Sequence, residues 1–383
     1  MRDKMGRLQY LDGLRGVAIS TVVLVHAYAS WPRLVPYGDQ LANFPLIQNG
    51  WLAVELFFLI SGFVIFMSLD KSSDAKSFLL NRWVRLFPAM LICSALILLL
   101  SQFLPDRPQG PPTLAALAPG LLFLDPFWLS HFGISAQSLE GTFWSLYVEV
   151  AFYVIVGVIY FVLGRRGALL CIFSLFCISV ALNILRSELP DFANSFLVRK
   201  LLVISDHTGM IYFGWFLSGM LAYEAFVHRK RWSLLRGLAV GILAALTVFL
   251  STASVQGRTI HAEFPAIFVV LLFYATVASA TMQRLISNRV FVFIGFVSYP
   301  LYLLHESPMI AGIVKLGRIF PSFPPLLLPI LPIALLVALS WIVATYLEPA
   351  LRSRLAPIAR RATQWLPTRS PILRRSPWTR AGS

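Results

Sequence analysis

The sequence predicts an all-α membrane protein, a polytopic bundle of about ten transmembrane helices with both termini in the cytoplasm. Apolar residues make up 58% of the 383 residues and charged residues only 13%, whereas soluble domains carry about 25% charged residues. Apolar stretches of spanning length recur along the chain, and Lys and Arg are divided unevenly between the loops. The net charge of +15 therefore suits cytoplasmic loops and anionic membrane lipids, and no nucleic-acid-binding motif accompanies it.

Ten apolar segments are long enough, at about 17–25 residues each, to cross a bilayer as helices. They span approximately 14–31, 50–69, 85–104, 142–163, 168–185, 208–227, 237–252, 264–282, 290–312 and 325–347. We therefore assign residues 1–348 to one membrane domain. Residues 349–383 form a basic cytoplasmic tail without apolar periodicity, which we expect to be disordered or to lie on anionic headgroups.

Lys and Arg set the orientation of such a bundle, because they favour cytoplasmic loops. With the N-terminus inside, 24 of the 32 Lys and Arg residues fall on the cytoplasmic side and eight on the outer side. An odd number of spans would put the Arg-rich tail outside, so the bias favours an even number. The long outer loop 105–141, rich in Pro and aromatic residues, predicts a partly folded segment that faces the substrate.

The first segment carries the strongest functional signal. Arg15 opens it, and His26 lies eleven residues further along the chain, about 16 Å away along a helix. His26 is thus beyond the midplane of a hydrocarbon core about 30 Å thick. An ionisable group at that depth is costly and marks a functional site, although a hydrogen bond between packed helices is the alternative.

Other polar residues reach a similar depth from two later segments. Glu149 lies about 10 Å below the outer surface, and Tyr299, Tyr302 and His305 follow one another at i, i+3 spacing. A carboxylate beside an imidazole raises its basicity and fixes its tautomer, so Glu149 would make His26 a general base. The alternatives are a structural tether for Glu149 and interfacial anchoring for the tyrosines.

A second cluster lies on the cytoplasmic side. Arg82 and Arg85 are spaced i, i+3 at an expected helix start, so their guanidinia point the same way. Paired guanidinia at a helix N-terminus bind phosphate through bidentate hydrogen bonds and the helix dipole. For the pair alone, ordinary positive flanking of a span is the favoured alternative, and Arg15 on the same face adds support for a phosphorylated ligand. The three cysteines suit no metal site in number or spacing, and no metal is expected.

Together these residues resemble the acyltransferase 3 family of integral membrane acyltransferases, over about residues 8–350. The resemblance rests on five motifs that occur in the family's order. They are Leu11-Asp12-Gly13-Leu14-Arg15-Gly16 followed by His26; Phe57-Phe58-Leu59-Ile60-Ser61-Gly62-Phe63; the Arg82-x-x-Arg85 pair; Trp144-Ser145-Leu146 followed by Glu149; and Ser298-Tyr299 with Leu301-Tyr302 and His305.

The resemblance implies transfer of an acyl group, usually acetyl, from cytoplasmic acyl-CoA to a hydroxyl of a carbohydrate or lipid-linked glycan. It implies a stand-alone member of the family, without an appended esterase-like domain, in the inner (plasma) membrane of a bacterium. We assign catalysis to His26 and Glu149. Donor binding falls to a larger set: Arg15, Arg82, Arg85, Trp144, Ser145, Tyr299, Tyr302 and His305. His26 acts either as a general base or as a nucleophile that first takes the acyl group.

Two other classes of protein remain open at this point. A proton-coupled secondary transporter would use His26, Glu149 and Glu55 as a proton relay. No pair of helices broken by Gly or Pro in corresponding halves of the chain supports that interpretation. A structural or receptor protein would tolerate replacement of His26 and of the arginines without loss of function.

Overall fold

The computed structural model describes residues 8–228, 234–255 and 263–364, and every regular element within these ranges is a helix. The first part of the chain holds α1 (Gln9–Tyr28), α2 (Pro45–Gln48), α3 (Leu52–Leu69), α4 (Ala75–Ser101), α5 (Leu117–Leu122), α6 (Pro126–Ser130), α7 (Trp144–Glu188), α8 (Pro190–Ala193) and α9 (Phe196–Thr208). The second part holds α10 (Phe213–His228), α11 (Leu234–Ala253), α12 (Glu263–Ala278), α13 (Ala280–Ile286), α14 (Arg289–Leu304), α15 (Ser307–Ile319), α16 (Ile330–Ile342) and α17 (Glu348–Gln364).

Six helical stretches in the described ranges are long and apolar enough to cross a membrane, and two bent pairs raise the number to eight. The six are Leu52–Leu69, Ala75–Ser101, Gly141–Glu188, Met210–His228, Leu235–Ala253 and Pro325–Ile358. The bent pairs are α12 with α13 and α14 with α15. An all-helical, multi-pass membrane protein is thus confirmed, while ten spans and the sides of the termini stay predictions.

Two regions account for the difference between eight and ten. The predicted segments 142–163 and 168–185 both lie in α7, which leaves helical geometry at Gly164 (φ 73°, ψ −178°). The first predicted segment lies in α1, where Asp12, Arg15 and His26 lower the mean hydropathy. Polar groups rather than length therefore keep α1 out of the count.

Close helix packing at glycines positions α1. A Cβ on Gly16 would lie 2.0 Å from the carbonyl oxygen of Phe291, and a Cβ on Gly295 would lie 1.8 Å from that of Asp12. Helices approach this closely only where a small residue faces the neighbouring backbone. The glycines therefore hold α1 against α14. The helix α1 carries His26, and α14 leads directly to His305.

A sharp break separates α14 from α15, whose axes differ by 77°. Glu306 has non-helical angles there (φ −80°, ψ −86°) and Pro308 follows in the first turn of α15. Pro lacks the N–H of an ordinary helical residue and restricts the residue before it, so the chain starts a new helix at this point. His305 lies directly at the break.

Outside the spans, the loop predicted to be partly folded contains α5 and α6, as expected. The predicted disorder of the tail is wrong for residues 349–364, because α17 runs from Glu348 to Gln364 and packs against α4. The helix has a signal that the prediction overlooked, since Leu351, Leu355 and Ile358 recur at i, i+4, i+7 spacing, and the contact with α4 stabilises it. Other predictions fall outside the described residues: the tail beyond 364, and the cationic residues Arg2, Lys4, Arg7, Arg229, Lys230, Arg231 and Arg258.

Candidate functional site

A cavity of about 620 Å³ lies between α1, α3, α4, α7 and α14, with α17 at one side. It collects most of the site residues that the sequence predicts. Seven of them line it: Arg15, Arg82, Arg85, Ser145, Glu149, Tyr299 and Tyr302. His26, His305 and Trp144 are not part of the lining. Five helices that are distant in sequence therefore bring one set of polar side chains together.

Four arginines line the cavity, three of them predicted and the fourth Arg352 on α17. Arg82 donates from Nη2 to Ser68 Oγ at 2.9 Å, and Arg352 donates from Nη2 to the backbone oxygen of Arg85 at 3.2 Å. The Nε atoms of Arg82 and Arg352 are buried without a hydrogen-bond partner among the described residues. Arginine side chains that line a cavity suit an anionic ligand.

Three carboxylates, on Asp12, Glu149 and Glu348, also line the cavity, so its side chains carry one net positive charge. Arg15 pairs with Asp12 at 3.1 Å. Arg352 pairs with Glu348, as the one-turn spacing predicts. Since two of the four guanidinia are partly neutralised in this way, Arg82 and Arg85 supply most of the uncompensated charge.

The predicted helix start at Arg82 and Arg85 is wrong. The helix α4 begins ten residues before Arg85, at Ala75, and the side chain of Asp74 caps it by accepting from the N–H of Ser77 at 2.8 Å. The helix dipole acts only within the first turn. Phosphate attraction at Arg82 and Arg85 therefore depends on the two guanidinia and not on the helix N-terminus.

Glu149 contacts a different partner from the one predicted. Its Oε1 accepts hydrogen bonds from the hydroxyls of Ser61 and Tyr153. Both His26 and Glu149 lie in the described ranges, and no contact joins them. Glu149 therefore organises the wall of the cavity, and the predicted orientation of the imidazole by this carboxylate is not seen.

His26 instead packs against His305. The two ring centroids are 4.7 Å apart and the planes are perpendicular. Nδ1 of His26 lies 3.0 Å from the backbone oxygen of Val22, and Nδ1 of His305 lies 2.7 Å from that of Tyr302. A carbonyl oxygen accepts but cannot donate, so each neutral ring carries its proton on Nδ1 and keeps the lone pair on Nε2. Both histidines are thus set up as bases through Nε2.

Tyr302 lies between the cavity and the histidine pair. Its hydroxyl donates to the backbone oxygen of Thr142 at 2.9 Å and therefore accepts from Ser145 Oγ at 2.6 Å. Its ring centroid is 5.3 Å from that of His305, and the side chain also lines the cavity. The structure thereby connects the arginine-lined cavity to His26 through Tyr302 and His305.

The remaining two predicted donor-site residues have other contacts. Tyr299 donates from its hydroxyl to the backbone oxygen of Leu86 at 3.1 Å, which ties α14 to α4. Trp144 is 38% exposed and packs against Phe58 and Tyr212. Tyr299 lines the cavity wall, whereas Trp144 lies outside it.

Sequence reasoning missed three polar residues of this site. Tyr153 lies one helical turn after Glu149, so i, i+4 spacing was a usable signal. Ser61 lies inside a motif already quoted, but nothing in its spacing to Glu149 relates the two. Arg352 lies one helical turn after Glu348, and that spacing predicts only an ion pair between the two. No group of three or more His, Cys, Asp or Glu that could hold a metal ion occurs among the described residues.

Comparisons with known proteins agree with this chemistry. The sequence model of a family described as an acyltransferase domain matches residues 8–347. Nodulation protein 10 of Rhizobium leguminosarum bv. viciae is 31% identical over 163 residues, which are 39% of this chain and 43% of that protein. A protein of Komagataeibacter xylinus whose name describes a membrane-bound transacylase is 32% identical over 184 residues, 44% of this chain and 42% of that protein.

A third relative is peptidoglycan O-acetyltransferase OatA of Listeria monocytogenes, 25% identical over 158 residues, which are 38% of this chain and 23% of that protein. The chain therefore aligns with less than half the length of each of these three relatives. No solved structure matches the chain.

Proposed function

The chain belongs to the acyltransferase 3 family, and we propose that it moves an acetyl group from cytoplasmic acetyl-CoA to a hydroxyl of a carbohydrate or glycolipid. Family membership makes it an acyl-transferring membrane enzyme, which favours this activity over a proton-coupled transporter. We place the enzyme in the inner membrane of a bacterium, because the relatives are bacterial proteins.

One observation carries the proposal. Arg82, Arg85 and Tyr302 line the same cavity, and the ring of Tyr302 contacts His305, which packs on His26. Coenzyme A has phosphates at one end and the reactive thioester at the other. The phosphates would bind the guanidinia, and the pantetheine arm would run through the cavity toward Tyr302.

In the first of two mechanisms, His26 is a general base. Nε2 of His26 removes the proton of the acceptor hydroxyl, and the hydroxyl oxygen attacks the thioester carbonyl carbon. The C–S bond then breaks, and the leaving thiolate takes the proton from the imidazolium. The hydrogen bond from Nδ1 to Val22 holds the tautomer that this step requires.

In the second mechanism, Nε2 of His26 attacks the thioester itself. The C–S bond breaks and the coenzyme A thiolate leaves. The acceptor hydroxyl then attacks the acyl carbon, the imidazole leaves as the neutral ring, and the thiolate takes the proton of the hydroxyl. Glu149 does not contact His26, so it does not orient the imidazole in either mechanism. We place its role on the donor side, where it accepts hydrogen bonds from Ser61 and Tyr153.

The acceptor is the least constrained part of the proposal. The name of the Listeria relative describes O-acetylation of peptidoglycan, which supports a glycan as acceptor here. A sugar hydroxyl also matches the need for a proton to be removed by Nε2 of His26 in the first mechanism.

Replacement of His26 tests the proposed reaction. Purified wild-type protein should release free thiol from acetyl-CoA in the presence of an accepted glycan, measured with a thiol-reactive dye. We expect His26→Ala to lower kcat at least about 100-fold, since general bases contribute about 10²–10⁴-fold.

His131→Ala is the matched control. His131 also lies with Nδ1 3.0 Å from the backbone oxygen four residues earlier, but in the loop away from the cavity. It should keep wild-type activity. Equal activity of wild type and His26→Ala would remove His26 from the mechanism.

A further inference from the structure

Beside the histidine pair, two helix starts face each other, and each is capped by the glutamate that precedes the other. Glu140 precedes the turn that leads into α7, and its Oε2 accepts from the backbone N–H of Ser307 at 3.1 Å. Glu306 precedes α15, and its Oε2 accepts from the backbone N–H of Thr142 at 3.0 Å. The first N–H groups of a helix lack partners within the helix, so this exchange satisfies both starts.

Arg107 joins the loop to this pair. Its Nη2 donates to Glu140 Oε1 at 3.1 Å and to the backbone oxygen of Leu139 at 2.9 Å. Its Nη1 donates to the backbone oxygen of Gly110 at 3.2 Å. The side chains of Arg107 and Glu140 are 3% and 0% exposed. Loss of one partner from a buried ion pair leaves an uncompensated charge and is strongly destabilising.

The three charged groups are coupled to one another. The cluster holds the carboxylates of Glu140 and Glu306 and one guanidinium, which pairs with Glu140, so it carries a net negative charge when both carboxylates are ionised. Burial, and then the carboxylate of Glu306, raise the pKa of Glu140 to about 7, against the opposing effects of Ser307 and Arg107. Removal of Glu306 or of Arg107 would therefore shift the pKa of Glu140.

The cluster lies one residue from His305. Glu306 follows His305 at the break between α14 and α15, and Tyr302 reaches the same Thr142 through its hydroxyl. Together with the hydrogen bond between Ser145 and Tyr302, four hydrogen bonds thus join the start of α7 and the turn before it to the residues around His305. The break would otherwise leave the end of α14, and the ring that packs on His26, free to shift.

We propose that Arg107, Glu140 and Glu306 form a clamp that positions His305 against His26 for acyl transfer. The three are positioning residues, because they act through His305 and the backbone around it. The role in transfer rests on the proposed function, whereas the hold on His305 does not. The test therefore needs one readout that depends on activity and one that does not.

The variants Glu140→Gln and Glu306→Gln remove the charge but keep the shape of each side chain. We expect kcat for acyl transfer to fall by about 10- to 100-fold, because displacement of a reacting group by about 1 Å costs up to about 100-fold. The KM for acetyl-CoA should stay near the wild-type value, since no clamp residue lines the donor cavity. If a glutamine variant does not fold, Arg107→Lys perturbs the same clamp and is tested in its place.

Asp106→Asn is the matched control. Asp106 forms an ion pair with Arg318 at 2.7 Å, which joins the same loop to the same helix α15, but on the exposed surface. Surface pairs of this kind contribute little, so kcat should stay within about twofold of wild type.

The second readout is modification of His305 by diethyl pyrocarbonate, followed by mass spectrometry. His305 is 0% exposed, so it should be protected in wild type and in Asp106→Asn, and modified several-fold faster in the glutamine variants. Each variant must elute as wild type does and keep its thermal shift with coenzyme A.

The outcomes separate the two claims. Wild type without acyl transfer would overturn the proposed function, while the modification rates would still decide whether the clamp holds His305. Glutamine variants that match Asp106→Asn in both readouts would overturn the clamp. Faster modification with unchanged kcat would overturn its role in transfer.

Discussion

Arg82 and Arg85 reach one cavity from the same face of α4, which separates them from the other positive charges of the chain. If they bind the phosphates of acyl-CoA, Arg82→Ala and Arg85→Ala should each raise the KM for acetyl-CoA by about 10- to 100-fold, because a hydrogen bond to a charged group contributes about 1.5–3 kcal/mol. We expect kcat to change much less, since the thioester lies away from the phosphates. Initial-rate kinetics over a range of acetyl-CoA concentrations measure both constants.

Arg166→Ala provides the control for general loss of positive charge. Arg166 is exposed and does not line the cavity, so its removal should leave the KM unchanged. A similar KM for all three variants and the wild type would show that the cavity arginines do not bind the donor.

Depth along a helix proved to be a good guide to the histidines and a poor one to their partners. His26 and His305 were placed at similar depth from the sequence, and their rings are in contact. Glu149 was placed at that depth too, but it faces Ser61 and Tyr153 instead. The rise per residue fixes height in the membrane, whereas direction around the helix axis depends on packing that the sequence does not display.

At the scale of helices, the contact between α1 and α14 decides whether the histidines meet. A Cβ on Gly16 would lie 2.0 Å from the carbonyl oxygen of Phe291, and backbone cannot move aside cheaply. Gly16→Ala should therefore destabilise the protein by about 1–3 kcal/mol, as overpacking of a core does. We expect a lower thermal unfolding temperature in detergent together with a lower kcat, because α1 carries His26 and α14 leads directly to His305.

Gly237→Ala tests whether that loss is specific. Gly237 is also helical, in α11, and a Cβ there would meet nothing within 4 Å. Alanine has the higher helix propensity, so stability should stay equal or rise slightly. If Gly16→Ala and Gly237→Ala had the same unfolding temperature, the tight approach of α1 to α14 would not be real.

The sequence predicted where most spans lie, because their apolar residues are continuous, but not where several helices end. The third span was expected from residue 85, yet α4 starts at Ala75, since the cap at Asp74 lies in a polar stretch that hydropathy ignores. The clamp could not be predicted from the sequence either. Arg107 and Glu140 lie in a loop without periodicity, and only the folded chain shows that Arg107 pairs with Glu140 and that Glu140 and Glu306 exchange caps.

At the scale of the whole molecule, two groups of polar contacts lie in different parts of the bundle, one around α17 and α4 and the other around the start of α15. Arg352 on α17 donates to the backbone of Arg85 on α4, so the start of α17 lies beside the arginines of the cavity. The loop that contains Arg107 is held at the start of α15, beside the histidine pair. The predicted orientation requires these two regions to face opposite sides of the membrane.

Single cysteines test that orientation directly. We would replace Cys93, Cys171 and Cys177, and then introduce Ser135→Cys in the loop or Ser353→Cys in α17, both at exposed positions. With the positive residues inside, a membrane-impermeant maleimide should label Ser135→Cys from the periplasmic side of intact inner membranes. Ser353→Cys should react only after the inner membrane is opened. Labelling of both variants from one side would show that the loop and α17 share a face, which an acyl-CoA site at the arginines and an acceptor site beside His26 could not accommodate.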